Sequence, residues 1–183
     1  ELTLLKCGSS VEIKRGYKMK ALVKMEPGAG NWQIIDKPEP TINKDQVKIK
    51  VEYIGVCGSD IHTYEGHYNI NAKDLIIGHE FAGIAVEVGE NVKHVKVGDK
   101  VTSETTFEIC GKCRYCLEKE YNLCPTRKGL GTQQDGACAN YIVARGASVH
   151  VLPENLSCKE AAITEAAACA HHGVCKATIK KGD

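Results

Sequence analysis

Four of the chain's ten cysteines lie between residues 110 and 124, at a spacing that constrains the fold more than any other feature. They are Cys110, Cys113, Cys116 and Cys124, with two residues between neighbours in the first three and seven before the last. A Cys-x2-Cys pair allows one turn to present two sulfurs to the same ion, and Zn²⁺ takes four thiolates in a tetrahedron. Because the segment has few apolar residues, a metal or a cross-link must hold its fold. The spacing therefore predicts a zinc-bound lobe over residues 105–128.

Two other states of these cysteines fit the spacing alone: two disulfides, or four reduced thiols in a loop. Disulfide frameworks belong to secreted chains, and residues 1–18 lack the long apolar core of a secretory signal. We interpret residues 1–18 as a leader or extension and residues 19–183 as one domain. A shell of four thiolates has no open position for a substrate, so the predicted zinc is structural.

A second set of candidate metal ligands is dispersed along the chain. Cys57 stands in the segment GVCGSDIH, His79 and Glu80 follow the residues LIIG, and Glu165 lies among alanines. Each alone has an ordinary explanation: a small buried cysteine, a hydrogen-bonded histidine or a paired helical carboxylate. Together, a thiolate, an imidazole and a carboxylate form a zinc site that can keep one coordination position open. Their combination predicts a second zinc ion, in a site of the catalytic type.

Short β-type segments separated by glycines and turn residues dominate residues 19–153. Many short strands at this spacing predict a sandwich or a closed barrel. A helix is predicted over residues 158–170, with Ser157 as its N-cap and Glu160 completing a capping box. The predicted strands cover residues 20–24, 32–37, 47–53, 81–88, 100–103, 139–144 and 148–152.

The composition excludes several classes of protein. Hydrophobic residues make up 43% of the chain and charged residues 26%, which is ordinary for a globular domain and argues against disorder. The formal net charge is +1, whereas a nucleic-acid-binding protein typically carries a strong excess of Lys and Arg. A run of about 18 apolar residues, which a membrane-spanning helix requires, does not occur. We therefore predict a cytoplasmic protein with neither nucleic acid nor membrane as a partner.

Residues 78–92, GHEFAGIAVEVGENV, resemble the signature of the zinc-containing medium-chain alcohol dehydrogenases. The CGSD-x-H motif at residues 57–62, the four-cysteine lobe, the DGA segment at 135–137 and the helix with Glu165 occur in that family's order. The resemblance covers residues 19–183 and is strongest to the sorbitol, threonine and butanediol dehydrogenase branch. It implies that family's N-terminal catalytic domain, a mainly β, GroES-like barrel with short helices and a zinc lobe.

The resemblance implies a metal-binding role for four residues outside the lobe. Cys57 and His79 are expected to bind the catalytic zinc, and Glu80 to bind it or to lie directly behind it. Glu165 is expected to bind the zinc directly or through a water molecule. Ala166 follows Glu165 where many relatives have proline, so this chain departs from the family pattern there.

The resemblance also implies a path for the proton of the substrate. Ser59 matches the catalytic hydroxyl that accepts this proton, and His62 matches the residue that passes it toward solvent. Asp60 matches the carboxylate that orients His79, as metal-bound histidines usually require.

The activity implied by the resemblance is hydride transfer between a secondary alcohol, polyol or amino alcohol and NAD or NADP, by a dehydrogenase with two zinc ions per chain. The implied full-length form is a homo-oligomer. A G-x-G-x-x-G motif does not occur in the sequence, so the nucleotide-binding Rossmann domain is expected after residue 183. Residues 1–183 alone are therefore expected to be inactive.

Two other functions stay open on the sequence. The barrel also resembles the co-chaperonin fold, so a zinc-stabilised binding module without catalysis is one alternative. A metal-buffering or thiol-redox protein is the other. The joint presence of Cys57, Ser59, His62, His79 and Glu165 favours the dehydrogenase, because a binding module has no use for this set.

Overall fold

A computed structural model of the chain describes residues 18–68, 72–177 and 179. All but the last residue of the predicted leader lie outside the described residues. The described residues form ten strands and four α-helices: β1 (Lys18–Lys24), β2 (Trp32–Pro38), β3 (Gln46–Ile54), α1 (Gly58–Glu65), β4 (Leu75–Ile76), β5 (Phe81–Val88), β6 (Lys100–Ser103), β7 (Thr106–Glu108), α2 (Arg114–Leu117), β8 (Lys128–Gly129), β9 (Tyr141–Arg145), β10 (Val149–Val151), α3 (Cys158–Ala161) and α4 (Thr164–Lys176).

Three antiparallel sheets organise these strands. The largest has five strands in the order β10-β6-β5-β3-β9, a second has the order β2-β1-β4, and β7 pairs with β8 alone. The inward faces of the five-stranded sheet supply most of the main core, since alternate residues of a strand point to one side. That core contains Val47, Ile49, Phe81, Ala85, Val95, Val101, Leu130, Ala137, Ile142, Ala144 and Val149.

The segment at residues 138–140 joins the two larger sheets. On one side, the Leu22 N–H donates to the Cys138 carbonyl at 2.8 Å and the Asn140 N–H donates to the Lys20 carbonyl at 3.2 Å. On the other, the Val51 N–H donates to the Asn140 carbonyl at 3.0 Å. The prediction of a mainly β fold with short helices is confirmed, and all pairings between named strands in the described ranges are antiparallel.

A buried lysine ties the turn after β1 to helix α1. Lys24 is 1% exposed, and its Nζ donates to the carbonyls of Gly28 at 2.6 Å and Gly30 at 3.3 Å. The Gly30 N–H in turn donates to the Tyr64 carbonyl at 2.6 Å. The Trp32 and Tyr64 rings meet edge to face, with centroids 5.4 Å apart. These contacts fix α1, which carries two of the predicted site residues, against the three-stranded sheet.

The predicted helix over residues 158–170 is wrong in form, because two helices occupy this region. Ser157 and Glu160 do form the predicted capping box, with the Ser157 Oγ accepting from the Glu160 N–H at 3.3 Å. Helix α3 then buries Cys158 and Ala161 against β5, whereas Ile163 adopts φ −94° and ψ 11° and redirects the chain into α4. The packing of α3 against β5 causes this break between the two helices. The alanine-rich sequence itself does not predict a helix end there. None of the described helices has both the length and the apolarity that crossing a membrane requires.

Candidate metal centres

The structure brings Cys57, His79 and Glu80 together at one end of the large sheet. The Cys57 sulfur and one donor atom from each of the other two residues all lie within 4.8 Å of one another. Cys57 is the N-cap of α1, and His79 and Glu80 form the connection between β4 and β5. Three ligands of these types leave a fourth position of a tetrahedral zinc open. Their donor set therefore fits a zinc ion of the catalytic type.

Glu80 is buried in a space that a glycine provides. It is 6% exposed, and a Cβ added at Gly55 would lie 2.3 Å from its Oε2 atom. The Gly55 N–H also donates to the Glu80 carbonyl at 2.9 Å, which holds the end of β3 against the start of β5. An ionised carboxylate is costly to bury unless a cation or a donor compensates it. A divalent ion held by Cys57 and His79 would supply that compensation.

Asp60 links the two segments that carry the ligands. Its Oδ2 accepts from the Cys57 N–H at 3.1 Å, and its Oδ1 lies 3.8 Å from the His79 Nδ1, longer than a hydrogen bond. Burial raises the pKa of Asp60, and the nearby Glu80 charge acts in the same direction, while His79 and the Cys57 N–H act against them. Asp60 thus lies beside His79, which the family resemblance expects it to orient, without making a hydrogen bond to it.

Glu165 is not brought into this group of three. It lies in the first turn of α4, where its Oε1 accepts from the Cys169 Sγ–H at 3.4 Å. The hydrogen bond to Glu165 raises the pKa of the Cys169 thiol, as do burial and the charges of Glu165, Cys57 and Glu80. The start of α4 therefore lies within electrostatic range of the ligand group. Cys169 was not predicted from the sequence, although it follows Glu165 by four residues in a helical segment, a separation at which side chains are neighbours.

The two residues of the predicted proton path lie on successive turns of α1. Ser59 and His62 line an open cavity of about 340 Å³ together with His67 and Tyr68. His67 was also missed, because only the turn after α1 brings it back toward His62. Both residues of the predicted proton path and one further histidine therefore line the same cavity.

The four lobe cysteines converge as their spacing predicts. Their sulfurs all lie within 4.8 Å of one another, and all four are free thiols. The Cys116 sulfur is 3.9 Å from that of Cys110 and 3.5 Å from that of Cys113. A zinc tetrahedron with Zn–S bonds of about 2.3 Å has edges of about 3.8 Å, whereas a disulfide needs about 2.05 Å. The lobe therefore fits a closed four-thiolate zinc site.

Backbone donors prepare two of these sulfurs to carry negative charge. The Cys113 N–H donates to the Cys110 Sγ at 3.3 Å, and the Cys110 N–H donates to the Cys124 Sγ at 3.5 Å. The latter bond, aided by contacts with Thr126, lowers the pKa of Cys124 to about 6. Burial, together with the hydrogen bond to Cys113, raises the pKa of Cys116 to about 12. Full ionisation of the set therefore calls for a bound cation.

Removing one lobe ligand should loosen the lobe and spare the barrel. In Cys124→Ser, amide hydrogen exchange should accelerate across residues 105–128, because zinc binding and folding are coupled in such lobes. Exchange in the main core should not change, since that core has its own apolar packing. Cys175→Ser, which removes an exposed cysteine of α4, is the matched control. Global unfolding of Cys124→Ser would contradict the lobe's independence.

Comparison with known proteins identifies relatives of this fold. Residues 43–154 match the alcohol dehydrogenase GroES-like domain. The chain is 58% identical over 165 residues to a sorbitol dehydrogenase of Halalkalibacterium halodurans, covering 90% of this chain and 48% of the relative. It is 54% identical over 156 residues to the D-arabitol-phosphate dehydrogenase of Enterococcus avium, covering 85% of this chain and 44% of the relative.

A solved structure shares the fold as well. A dehydrogenase from Sinorhizobium meliloti, described as zinc-binding and bound to NADP, superposes with a TM-score of 0.82 at 31% identity, over 91% of this chain and 47% of its own. The chain spans about half the length of the curated relatives it matches. The resemblance seen in the sequence is thereby confirmed, and the chain belongs to the zinc-type alcohol dehydrogenases through their GroES-like domain.

Proposed function

We propose that this chain is the catalytic domain of a zinc-dependent dehydrogenase that moves hydride between a secondary alcohol, polyol or amino alcohol and NAD or NADP. The observation that carries the proposal is the meeting of Cys57, His79 and Glu80 within 4.8 Å, beside the helix that holds Ser59 and His62. The polyol dehydrogenases among the relatives support the substrate class. As the family resemblance implies, we propose a homo-oligomer for the full-length protein.

The proposal assigns two zinc ions to the chain. Cys57, His79 and Glu80 hold the first and leave its fourth position for the substrate, while Glu165, which lies outside this group of three, acts on the ion through a water molecule. When bound there, zinc acts as a Lewis acid that lowers the pKa of an alcohol hydroxyl. The second ion is structural, and its ligands are Cys110, Cys113, Cys116 and Cys124.

The chain's own side chains then move the proton. The Ser59 hydroxyl accepts the proton of the substrate hydroxyl while it gives its own proton toward His62, which passes a proton outward to solvent. Residues three apart on a helix are neighbours, with about 5–6 Å between their Cβ atoms. The His62 side chain is 61% exposed, so solvent can receive the proton from it.

We assign nucleotide binding to an α/β domain outside these 183 residues. The sequence has no G-x-G-x-x-G turn to hold a pyrophosphate, and the relatives are about twice as long as the matched segment. In the proposal this domain presents the nicotinamide ring, and the chain described above supplies zinc, substrate orientation and the proton path.

A chimera tests the proposed function. Residues 19–183 are joined to the part of the Halalkalibacterium halodurans sorbitol dehydrogenase that the match does not cover. We expect formation of NADH or NADPH with sorbitol, 2,3-butanediol or threonine, lost after chelation and restored by zinc. Residues 1–183 alone should give none.

The controls separate the alternatives. A chimera that is folded and zinc-loaded, yet inactive on all three substrates, would favour the binding module. Turnover by residues 1–183 alone would contradict the assignment of the nucleotide to another domain. The zinc content and the far-UV spectrum are measured for each protein, to show that every protein compared is folded and loaded with zinc.

A further inference from the structure

A third group of metal-ligand side chains lies at the C-terminal end of α1, apart from both centres described above. One donor atom from each of His62, Glu65 and His67 lies within 4.8 Å of the other two. The Glu65 Oε2 is 3.7 Å from the His62 Nδ1 and 3.3 Å from the His67 Nδ1. All three side chains are exposed, so a cation can reach them from solvent without any opening of the fold.

The end of the helix builds this group. His62 and Glu65 share one face of α1, three residues apart. Gly66 then takes φ 83°, a left-handed conformation that ends the helix and turns the chain back. The N–H groups of His67 and Tyr68 both donate to the His62 carbonyl, at 2.9 and 3.0 Å. His67 is thereby held beside His62, with ring centroids 6.0 Å apart.

Glycine at residue 66 is required twice over. Side chains other than glycine are strained at this φ. A Cβ there would also lie 3.0 Å from the Ala29 Cβ, in the turn that Lys24 holds against α1. The backbone under the three ligands is therefore well determined, which lowers the entropic cost of gathering them around an ion.

The donor set suits a first-row transition-metal dication. Two imidazoles and one carboxylate form the ligand set that holds zinc in several hydrolases, and imidazole also suits copper and nickel. The interactions that the three groups make with each other are exposed histidine–glutamate pairs, which contribute little to stability. A dication that binds all three donors therefore displaces these weak histidine–glutamate pairs at little cost in free energy.

We propose that His62, Glu65 and His67 form an additional, solvent-facing site for Zn²⁺ or a similar dication, distinct from the structural and catalytic centres. An ion there occupies a ring nitrogen of His62 and stands at the cavity that Ser59 also lines. If Ser59 and His62 carry the proton as proposed above, excess zinc inhibits the enzyme through this site. That consequence rests on the proposed function, whereas metal binding does not.

A competition titration tests the site directly. The full chain is loaded with zinc at its two centres, freed of excess metal, and titrated with Zn²⁺ against a chromophoric chelator. We expect one additional, weaker equivalent, abolished in both His67→Gln and Glu65→Gln. His150→Gln should keep it, because in the described part of the chain this exposed histidine pairs with Glu104 alone, at 3.1 Å. In the NMR spectrum, the ring signals of His62 and His67 should shift together during that equivalent.

The outcomes are separate from those of the proposed function. Absence of the additional equivalent in the parent chain, or its persistence in His67→Gln, would overturn the third site. An inactive chimera alongside a normal titration would instead remove the dehydrogenase proposal and leave the third site standing.

Discussion

Replacing His79 by alanine should empty the centre at Cys57 of zinc. Two remaining strong ligands hold zinc poorly, because such sites depend on three protein donors around the open position. Metal analysis of the purified chain should give about two zinc ions in the parent and about one in His79→Ala, since the lobe keeps its own ion. In the chimera, the same substitution should remove turnover altogether.

A matched histidine provides the control for this result. Within the described residues, the His94 ring makes one hydrogen bond, to the Val149 carbonyl at 3.1 Å, and it belongs to neither centre. His94→Ala should therefore keep both ions and the activity. Full zinc content in His79→Ala would remove His79 from the ligand set, whereas a content near zero in the parent chain would contradict both centres.

Replacing Ser59 by alanine should lower kcat while leaving the metal in place. A positioned acid–base group contributes about 10²–10⁴-fold to rate, so kcat of the chimera should fall by about that factor. Zinc content should not change, because the proposed ligands are the side chains of Cys57, His79 and Glu80, which this substitution leaves intact. The helix should survive as well, since the Thr63 hydroxyl bonds the Ser59 backbone carbonyl, at 2.8 Å, and not its side chain.

Two further substitutions distinguish a proton path from a structural role. Ser59→Thr keeps a hydroxyl at the same position and should restore much of the lost rate. His62→Ala should cost less than Ser59→Ala, because water can replace an exposed outer carrier. Full activity in Ser59→Ala would reject the proton path and leave the zinc assignment standing.

The sequence predicts best those features that depend on spacing or on alternation. Strands of five or more residues, such as β3 and β5, were predicted within one or two residues of their bounds. In β3, apolar residues alternate with charged ones along the sequence, whereas the end of β5 is marked by the turn residues 89–91. The meeting of the four lobe cysteines also follows from local spacing. Strands β4, β7 and β8 have only two or three residues, too few for any periodicity to appear.

The features that the sequence did not predict depend on contacts distant in the chain. The break between α3 and α4 follows from packing of α3 on β5, and it determines where Glu165 and Cys169 lie. The position of His67 depends on the left-handed conformation of Gly66, which composition does not reveal. In both cases the unpredicted feature is the direction of the chain at a helix end, which contacts with the rest of the fold determine.

The two ends of the lobe meet where it leaves the barrel. The Leu130 N–H donates to the Thr105 carbonyl at 2.9 Å, and Ser148 Oγ donates to the Thr106 carbonyl at 2.8 Å. Hydrogen bonds at its base thus hold the two ends of residues 107–128 together, as a hairpin holds the ends of its loop. During evolution such an excursion can lengthen, shorten or exchange its ion without moving the strands beside it. Its surface can therefore diverge among relatives at a rate independent of the chemistry carried by the barrel.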